Sequence, residues 1–280
     1  MEHINAIKDL TSKFDEIPQD LHKGEKFAQI YATHRPTYPQ EIYEKILAYH
    51  SEIPQNKRLL AVDVGCETGQ STRPLTKYFQ QVIGSDVSED QLSIIPRNAP
   101  NLDYKVAYAE DLNFLGDKTV DMVTVATALH WMDYKKFFSE ARRVLKPDGT
   151  LAVYSMFHEN FEHPEVRAYI AQLQSTIFSG YLTTRFRMIL EKFQSLEFPF
   201  KDIRRHDDII KTGELTLDGI VGYLASFHYT KLFADDNPDR DILAEMKQSL
   251  QEIFQKSNHH LTEPVKVKVN WYYFVILCRN

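Results

Sequence analysis

The sequence predicts an α/β fold, a doubly wound and mostly parallel sheet with a helical cap inserted late in the chain. Three observations support this prediction. Between Leu59 and Met156, short apolar runs alternate with amphipathic stretches, as strands and crossover helices do. The first run ends in a small loop that contains two glycines, Gly65 and Gly69. After Met156 the alternation gives way to longer, mostly helical periodicity.

Turn residues divide the alternating stretch into strands and helices. Unbroken apolar runs are typical of parallel strands that are buried on both faces. The predicted strands are Leu59–Gly65, Gln81–Asp86, Leu102–Tyr108, Val120–Thr127 and Thr150–Met156. The predicted helices are Ser71–Phe79, Glu89–Ile95 and Tyr134–Leu145. In such sheets, ligands bind beyond the carboxyl ends of the strands.

The chain is predicted to form a single domain over residues 1–280. Its expected regions are an N-terminal helical cover (1–50), a core (51–157), a mainly helical cap (158–260) and a final strand (261–280). Within the cover, residues 1–24 are expected to form a short helix and a loop. Within the cap, periodicity predicts helices over Leu217–Phe233 and Asp241–Phe254 and a strand near Phe198–His206. The cap would roof the strand ends.

Composition and charge narrow the possible partners and location. The chain has 33 Lys and Arg against 39 Asp and Glu, a net charge of −6, which argues against nucleic acid as a partner. Its two cysteines, Cys66 and Cys278, form neither a metal-ligand spacing nor a disulfide framework. We therefore expect no metal site and a cytoplasmic protein with reduced thiols. No stretch is long and apolar enough to span a membrane.

The glycine loop and a later acid together predict a nucleoside-bearing cofactor. Glycines without a Cβ let a ligand approach the backbone closely. Asp86 ends the second predicted strand, about 20 residues further on, where a carboxylate can accept hydrogen bonds from both ribose hydroxyls. A nicotinamide-dependent oxidoreductase is the less favoured alternative. The loop lacks the G-x-G-x-x-G pattern, and Glu67 would repel a pyrophosphate.

The loop, with Asp63, Gly65 and Gly69, resembles D-x-G-x-G-x-G, the first motif of the class I S-adenosylmethionine-dependent methyltransferases. The resemblance extends in order from Leu59 to Met156. The further segments that resemble motifs of this family are Val82–Ser88, Ala109–Leu112, Val120–Val123 and Leu145–Leu151. It implies a Rossmann-like methyltransferase fold, S-adenosylmethionine as the cofactor and methyl transfer as the activity.

Two flanking segments resemble a narrower group. Tyr31–Pro39 precedes the core and Ala128–Asp133 follows the fourth predicted strand. Both are similar to segments of small-molecule methyltransferases that include the fungal trans-aconitate methyltransferases. This resemblance implies a small-molecule acceptor and, by analogy, a carboxylic acid that is methylated on oxygen.

The resemblance also assigns residues to the cofactor. The implied cofactor-binding residues are Tyr31, Arg35, Asp63, Gly65, Gly69, Asp86, Val87, Ala109, Glu110 and Ala126. Asp86 would hold the ribose, Val87 would pack on the adenine, and Arg35 would pair with the methionyl carboxylate. The alternative for Arg35 is a surface arginine before a proline.

His130 and Trp131 stand where the methyl group would be delivered. A neutral imidazole can accept a proton or hydrogen-bond the nucleophile, and an indole can exclude water and face a sulfonium. The alternative is that both side chains pack under the cap. A carboxylate acceptor is already ionised at neutral pH, so His130 would position it rather than deprotonate it.

In the cap, the helix around His228 and Tyr229 resembles one that contacts substrate in relatives, so these two residues are the predicted substrate ligands. Two residues depart from the family pattern. Glu67 stands where the middle glycine of the loop is usual, and Tyr108 stands where relatives often carry an acid. These departures keep a second function open, a methyltransferase-like protein that has lost catalysis and serves as a binding module.

Overall fold

The computed structural model describes residues 24–257 and 266–280, and a seven-stranded sheet organises this part of the chain. The strands are β1 (Leu60–Val64), β2 (Gln81–Asp86), β3 (Leu102–Val106), β4 (Val120–Ala126), β5 (Leu145–Phe161), β6 (Asp202–Thr216) and β7 (Lys266–Arg279). Their order across the sheet is β3-β2-β1-β4-β5-β7-β6. The strands β1 to β5 pair in parallel, and β7 is antiparallel to both neighbours. The predicted doubly wound, mostly parallel sheet is confirmed.

Helices cover both faces of the sheet and build the cap. They are α1 (Glu25–His34), α2 (Gln40–Ser51), α3 (Thr72–Leu75), α4 (Glu89–Ser93), α5 (Tyr134–Val144), α6 (Pro164–Ser175), α7 (Thr184–Leu190), α8 (Leu217–Ala225), α9 (His228–Asp236) and α10 (Ile242–Ser257), with a 3₁₀ turn at Leu129–Trp131. Among the helices of the described residues, none combines the length and the apolar character that crossing a membrane requires.

The central strands are buried on both faces, as their unbroken apolar runs predict. Every residue of β4 is buried. Its alternate side chains enter two different apolar clusters, with Met122 on one face of the sheet and Val123 on the other. Each such side chain contributes about 1.5–3 kcal/mol when it is fully buried. The sheet is therefore a rigid platform from which the loops at its carboxyl edge project.

Two predicted helices are shorter in the structure. The stretch Ser71–Phe79 has only one regular helical turn, α3, followed by turns. The predicted helix Leu217–Phe233 is divided into α8 and α9. The break follows α8, where the Ser226 hydroxyl donates to the Tyr223 carbonyl oxygen at 2.6 Å. Side chains that hydrogen-bond the local backbone in this way compete with helix continuation.

Strands in the second half of the chain are longer than predicted. The strand suggested near Phe198–His206 is β6, which runs for 15 residues against β7. The fifth predicted strand, Thr150–Met156, extends to Phe161 because β7 pairs with it as far as that residue. Near its start, the pairing of β5 with β4 is irregular, with a shift in register between Val120 and Met122.

The chain reverses its direction of winding between β1 and β4, which lie side by side in the sheet. Loops that follow strands at such a switch point leave a crevice between them. The cover closes this crevice from one side, since α1 packs on α8 so closely that a Cβ at Gly222 would overlap the His34 ring. The helix and loop predicted over residues 1–24 lie outside the described residues, except for Gly24. Residues 258–265 also lie outside them.

Candidate active site

The loop after β1 needs glycine at both of its predicted positions. Gly65 and Gly69 have φ angles of 70° and 76°, in the left-handed region that side chains disfavour. A Cβ on Gly65 would lie 2.5 Å from the Ala128 Cβ, and one on Gly69 would lie 2.7 Å from the Tyr104 hydroxyl. The loop is therefore packed against the segment that follows β4 at Gly65 and against β3 at Gly69.

Asp63 supports this loop from below. Its carboxylate is fully buried and accepts hydrogen bonds from Ser71, Thr72 and Thr124, each at 2.6 Å. Burial raises the pKa of Asp63, and the three hydroxyl donors oppose that rise. Asp63 thus ties the start of α3 and the strand β4 to the loop, and it does not line either of the cavities described below.

Glu67 adopts a left-handed backbone, with a φ of 48°. Its backbone N–H donates to the Asp86 carboxylate at 2.8 Å, and the other Asp86 oxygen accepts the Ser88 N–H at 2.9 Å. Burial raises the pKa of Asp86, which these backbone donors oppose. Each carboxylate oxygen can accept more than one hydrogen bond. Asp86 can therefore hold the loop and still bind ribose hydroxyls.

Beyond Asp86, apolar side chains face solvent at the carboxyl ends of β2 and β3. Val87 is 43% exposed and Tyr108 is 70% exposed, which is unusual for large apolar residues. Ala109 is buried beside them. Glu110 accepts the Asp133 N–H at 2.6 Å, so it joins this edge to the segment after β4. A flat apolar group such as an adenine would cover Val87 and Tyr108.

The segment after β4 forms the opposite wall. Ala126 is buried, and Thr127 has a φ of 54°, a strained conformation for a β-branched residue. The Thr127 hydroxyl lies 2.9 Å from the Tyr38 hydroxyl and accepts from Ser155 at 3.3 Å. Strained residues that their surroundings hold in place are concentrated at functional sites. Thr127 is a site residue that the sequence reading missed.

His130 and Trp131 lie in the 3₁₀ turn, with ring centroids 4.5 Å apart. The Trp131 ring also meets the His228 ring of α9, edge-on, with centroids 5.1 Å apart. Arg185 of α7 donates to the His130 carbonyl oxygen at 3.0 Å. The cap therefore holds this turn from two sides, and the turn carries both predicted catalytic residues to the inner surface of the site.

Two adjoining cavities lie between the loops and the cap. The smaller one, of about 430 Å³, lies over the glycine loop and is bounded by Gly65, Ser71 and Ala126. The larger one, of about 680 Å³, lies under the cap and is bounded by His130, Trp131, His228 and Tyr229, among others. The residues that line both cavities are Tyr31, Arg35, Glu67, Thr127 and Met156.

Arg35 lies at this boundary. Its guanidinium carbon is 4.0 Å from the centroid of the Phe227 ring, and one of its terminal nitrogens donates to the Ser226 carbonyl oxygen at 3.3 Å. Its Nε is buried and has no hydrogen-bond partner among the described residues. A buried donor without a partner is costly, so the position favours an anionic ligand such as a carboxylate.

Two carboxyl groups flank Arg35. The Tyr31 phenol lies beside the Glu67 carboxyl, and the Tyr223 phenol, whose hydroxyl donates to the Met156 Sδ at 3.6 Å, lies beside that of Glu159. Burial raises the pKa of Glu67 to about 8 and also raises the pKa of Glu159, with the charge of Arg35 opposing both shifts. Glu159 was not anticipated from the sequence, because its place depends on how far β5 extends.

The predicted substrate residues lie in the cap wall. The His228 ring packs against Phe27 as well as Trp131, with a centroid distance of 5.3 Å to Phe27. Tyr229 is buried, and its hydroxyl accepts from Gln174 at 3.5 Å. Both residues face the larger cavity. Most of the other groups that line this cavity are apolar, including Leu182, Phe186 and Leu232.

These features fit the expected cofactor. The smaller cavity lies over bare backbone at Gly65. Asp86, Val87 and Tyr108 line neither cavity, and Val87 and Tyr108 are exposed at the carboxyl edge of β2 and β3. Glu67 and Tyr31 line both cavities. Of the predicted cofactor residues, Tyr31, Arg35, Gly65 and Ala126 border the smaller cavity, whereas Asp63 supports it from below.

Comparisons with known proteins agree with this geometry. Residues 62–153 match the model of a methyltransferase domain. The chain is 28% identical over 270 residues to a Dictyostelium discoideum protein described as a methyltransferase, with 94% of this chain and 98% of that protein covered. It is 29% identical over 282 residues to a Saccharomyces cerevisiae protein described as an S-adenosylmethionine-dependent methyltransferase, with coverages of 89% and 94%.

A solved structure from Anaeromyxobacter dehalogenans, described as a type II methyltransferase, has the same architecture. It superposes with a TM-score of 0.71 at 26% identity and covers 88% of this chain and 97% of its own. A coverage of 88% means that the similarity extends beyond the central sheet into the cap.

Proposed function

We propose that this chain, which is a class I S-adenosylmethionine-dependent methyltransferase, methylates a carboxyl oxygen of a small and mainly apolar acid. The main support for this proposal is that the two cavities share a wall. The smaller cavity lies over the glycine loop, the larger one lies under the cap, and Arg35 and Thr127 are among the residues that line both. A methyl group at this boundary would face an acceptor that enters under the cap.

On the donor side, the chain's residues are proposed to bind and orient the methyl donor. S-adenosylmethionine supplies a methyl group on a positively charged sulfur. Gly65 is proposed to let the donor lie against the backbone, Gly69 to shape the loop beside Tyr104, and Asp86 to hold the ribose. Arg35 is proposed to bind the methionyl carboxylate, which would satisfy its buried Nε. Val87 and Tyr108 are proposed to cover the adenine.

On the acceptor side, the residues position the nucleophile and exclude water. The cavity under the cap has mostly apolar walls with a few polar groups, as sites for small molecules do. His130 is proposed to hydrogen-bond the acceptor carboxylate, and Trp131 to shield it. A carboxylate is a weak nucleophile in water, so in-line alignment and removal of its hydration shell would carry the rate enhancement.

A screen of carboxylic acids tests the acceptor class. Isoprenoid, aliphatic and tricarboxylic acids would each be incubated with the protein and S-adenosylmethionine, beside the matched primary alcohols, and S-adenosylhomocysteine would be measured. We expect product with apolar acids and a methyl ester by mass spectrometry. Turnover of the alcohols with inert acids would contradict carboxyl methylation. Absence of binding of either cofactor form would contradict the enzyme function and favour the binding module instead.

The proposed location is the cytoplasm. Cys66 and Cys278 are both buried free thiols in the structure, as reduced cysteines in a reducing compartment would be. Detection of the tagged full-length chain in a fractionated cell extract, with markers for cytosol and organelles, tests this proposal.

A further inference from the structure

We infer that Glu67 senses the charge of the methyl donor: its carboxyl is protonated in the empty protein, ionises when a sulfonium lies against it, and regains the proton once the sulfur is neutral. This inference rests on the proposed function, since it requires the donor to lie over the glycine loop. It assigns a role to the residue that departs most clearly from the family pattern.

The position of the carboxyl is fixed by the backbone. The Glu67 N–H is bound to Asp86, and the left-handed φ of 48° sets the direction in which the side chain leaves the loop. Glu67 is buried, its carboxyl lies beside the Tyr31 phenol, and the residue borders both cavities. It therefore lies at the junction through which a methyl group would pass from donor to acceptor.

Groups from every side act on this carboxyl. The cover contributes Tyr31 and the cation of Arg35, and the strand ends contribute the carboxylates Asp63 and Asp86. The remaining titratable groups that border the two cavities are Tyr38, Cys66, His130, Glu159, Tyr181, His228, Tyr229 and Tyr273. Burial is the largest influence and raises the pKa of Glu67 to about 8, because the charge of Arg35 only partly offsets it. At neutral pH most empty molecules therefore carry a proton here.

A cation against Glu67 reverses this balance, because an opposite charge favours the ionised form. Glu67 then releases its proton to solvent as the donor binds. In the transfer step, the carbon–sulfur bond breaks and its electron pair stays on sulfur, while a lone pair of the acceptor carboxylate forms the new carbon–oxygen bond. The sulfonium charge has then gone, and Glu67 takes a proton back from solvent. Ionised Glu67 thus favours the donor over the demethylated product.

Proton release on binding is the direct test. The full chain would be titrated calorimetrically with S-adenosylmethionine and with S-adenosylhomocysteine at pH 7, in phosphate and in Tris buffers, whose ionisation enthalpies differ. We expect close to one proton released per sulfonium donor bound and less than half of that for the thioether. By linkage, the donor's affinity should rise about tenfold per pH unit between roughly pH 6 and 7.5 and level off above about 8.

Two variants assign the proton to its residue. Glu67→Gln keeps the shape of the side chain but cannot ionise, so it should abolish the proton release and lower the preference for donor over product by about tenfold. Glu159→Gln removes the other carboxyl beside Arg35 and should leave the proton release intact.

The outcomes are distinct. Donor binding without proton release in the unmodified chain, or an unchanged release in Glu67→Gln, overturns the inference and leaves the proposed function standing. No heat from either ligand, in any buffer, overturns the proposed function and this inference with it. Even if Glu67→Gln does not fold, the pH dependence of donor affinity in the unmodified chain tests the inference.

Discussion

The carboxylate of Asp86 accepts the backbone N–H of Glu67 at 2.8 Å, so the acid at the tip of β2 holds the left-handed residue in the loop after β1. From the sequence, one of these residues is predicted to hold a ribose and the other departs from a glycine pattern. In the structure, the predicted ribose ligand also anchors the backbone from which the Glu67 side chain leaves. The proposed ribose contact of Asp86 would therefore couple cofactor binding to loop conformation through a single side chain.

Replacing Asp86 should weaken both functions. Asp86→Ala leaves the buried N–H groups of Glu67 and Ser88 without their acceptor. We expect the free energy of unfolding in urea to fall by about 2 kcal/mol and the affinity for S-adenosylmethionine to fall as well. The control is Asp103→Ala on β3, an exposed acid that should change either quantity little. Unchanged stability of Asp86→Ala would contradict the loop-anchoring role.

Gly65→Ala should destabilise the empty protein. The new Cβ would lie 2.5 Å from the Ala128 Cβ, and the φ of 70° disfavours any side chain. We expect a loss of about 2 kcal/mol or more by chemical denaturation. Gly116→Ala is the matched control, because its Cβ would meet only the Thr119 methyl, at 3.2 Å. Equal effects of the two substitutions would count against the close packing of this loop.

Stability should depend on pH through Glu67. Its pKa is about 8 in the folded chain and near 4.5 ordinarily, so between these values the folded state holds a proton that the unfolded state has released. The free energy of unfolding therefore falls as pH rises through this window, by up to about 1.4 kcal/mol per pH unit.

Glu67→Gln removes this contribution, so its stability should fall less steeply than that of the unmodified chain between about pH 5 and 8. Asp63, Asp86 and Glu159 also have raised pKa values, so they too make the free energy of unfolding fall as pH rises. They are present in both proteins, so the difference between the stability curves of the unmodified chain and Glu67→Gln isolates Glu67. Parallel curves would show that Glu67 is ionised in the empty protein.

His130→Ala should separate turnover from binding. The ring lies in the larger cavity, whereas the proposed cofactor contacts belong to the loop below it. We expect turnover to fall by at least about tenfold through lost alignment of the acceptor, with the cofactor affinity changed by less than about twofold. His206→Ala on β6, outside both cavities, is the control. Equal losses of turnover and affinity would place His130 in the cofactor site instead.

Local patterns predicted most of the central fold. The apolar runs at β1, β2 and β4 are visible in the sequence because strands that are buried on both faces need no alternation. The predicted parallel sheet is confirmed. The methyltransferase activity and the cofactor, which the family resemblance implied, are confirmed by the comparisons. The lengths of β5 and β6 were missed because they depend on pairing with β7, more than a hundred residues after β5 in the chain.

The site was less predictable for the same reason. Gly65, Gly69 and Asp86 carry motif spacing, but Glu159 reaches the cavity only because β5 continues past Met156. The position of Thr127 directly after an apolar run was a usable signal, although its strained backbone was not foreseeable. The roles assigned to His130, Trp131, His228 and Tyr229 remain predictions, since facing a common cavity does not establish catalysis.

Calorimetric titration of the full chain with S-adenosylmethionine measures whether the chain binds the methyl donor, and every other proposed role depends on a donor that lies over the loop at Gly65. We predict saturable binding of one ligand per chain, with weaker binding by Asp86→Ala. If a chain that is shown to be folded binds no S-adenosylmethionine over the whole range from pH 6 to 9, the proposed donor site is wrong.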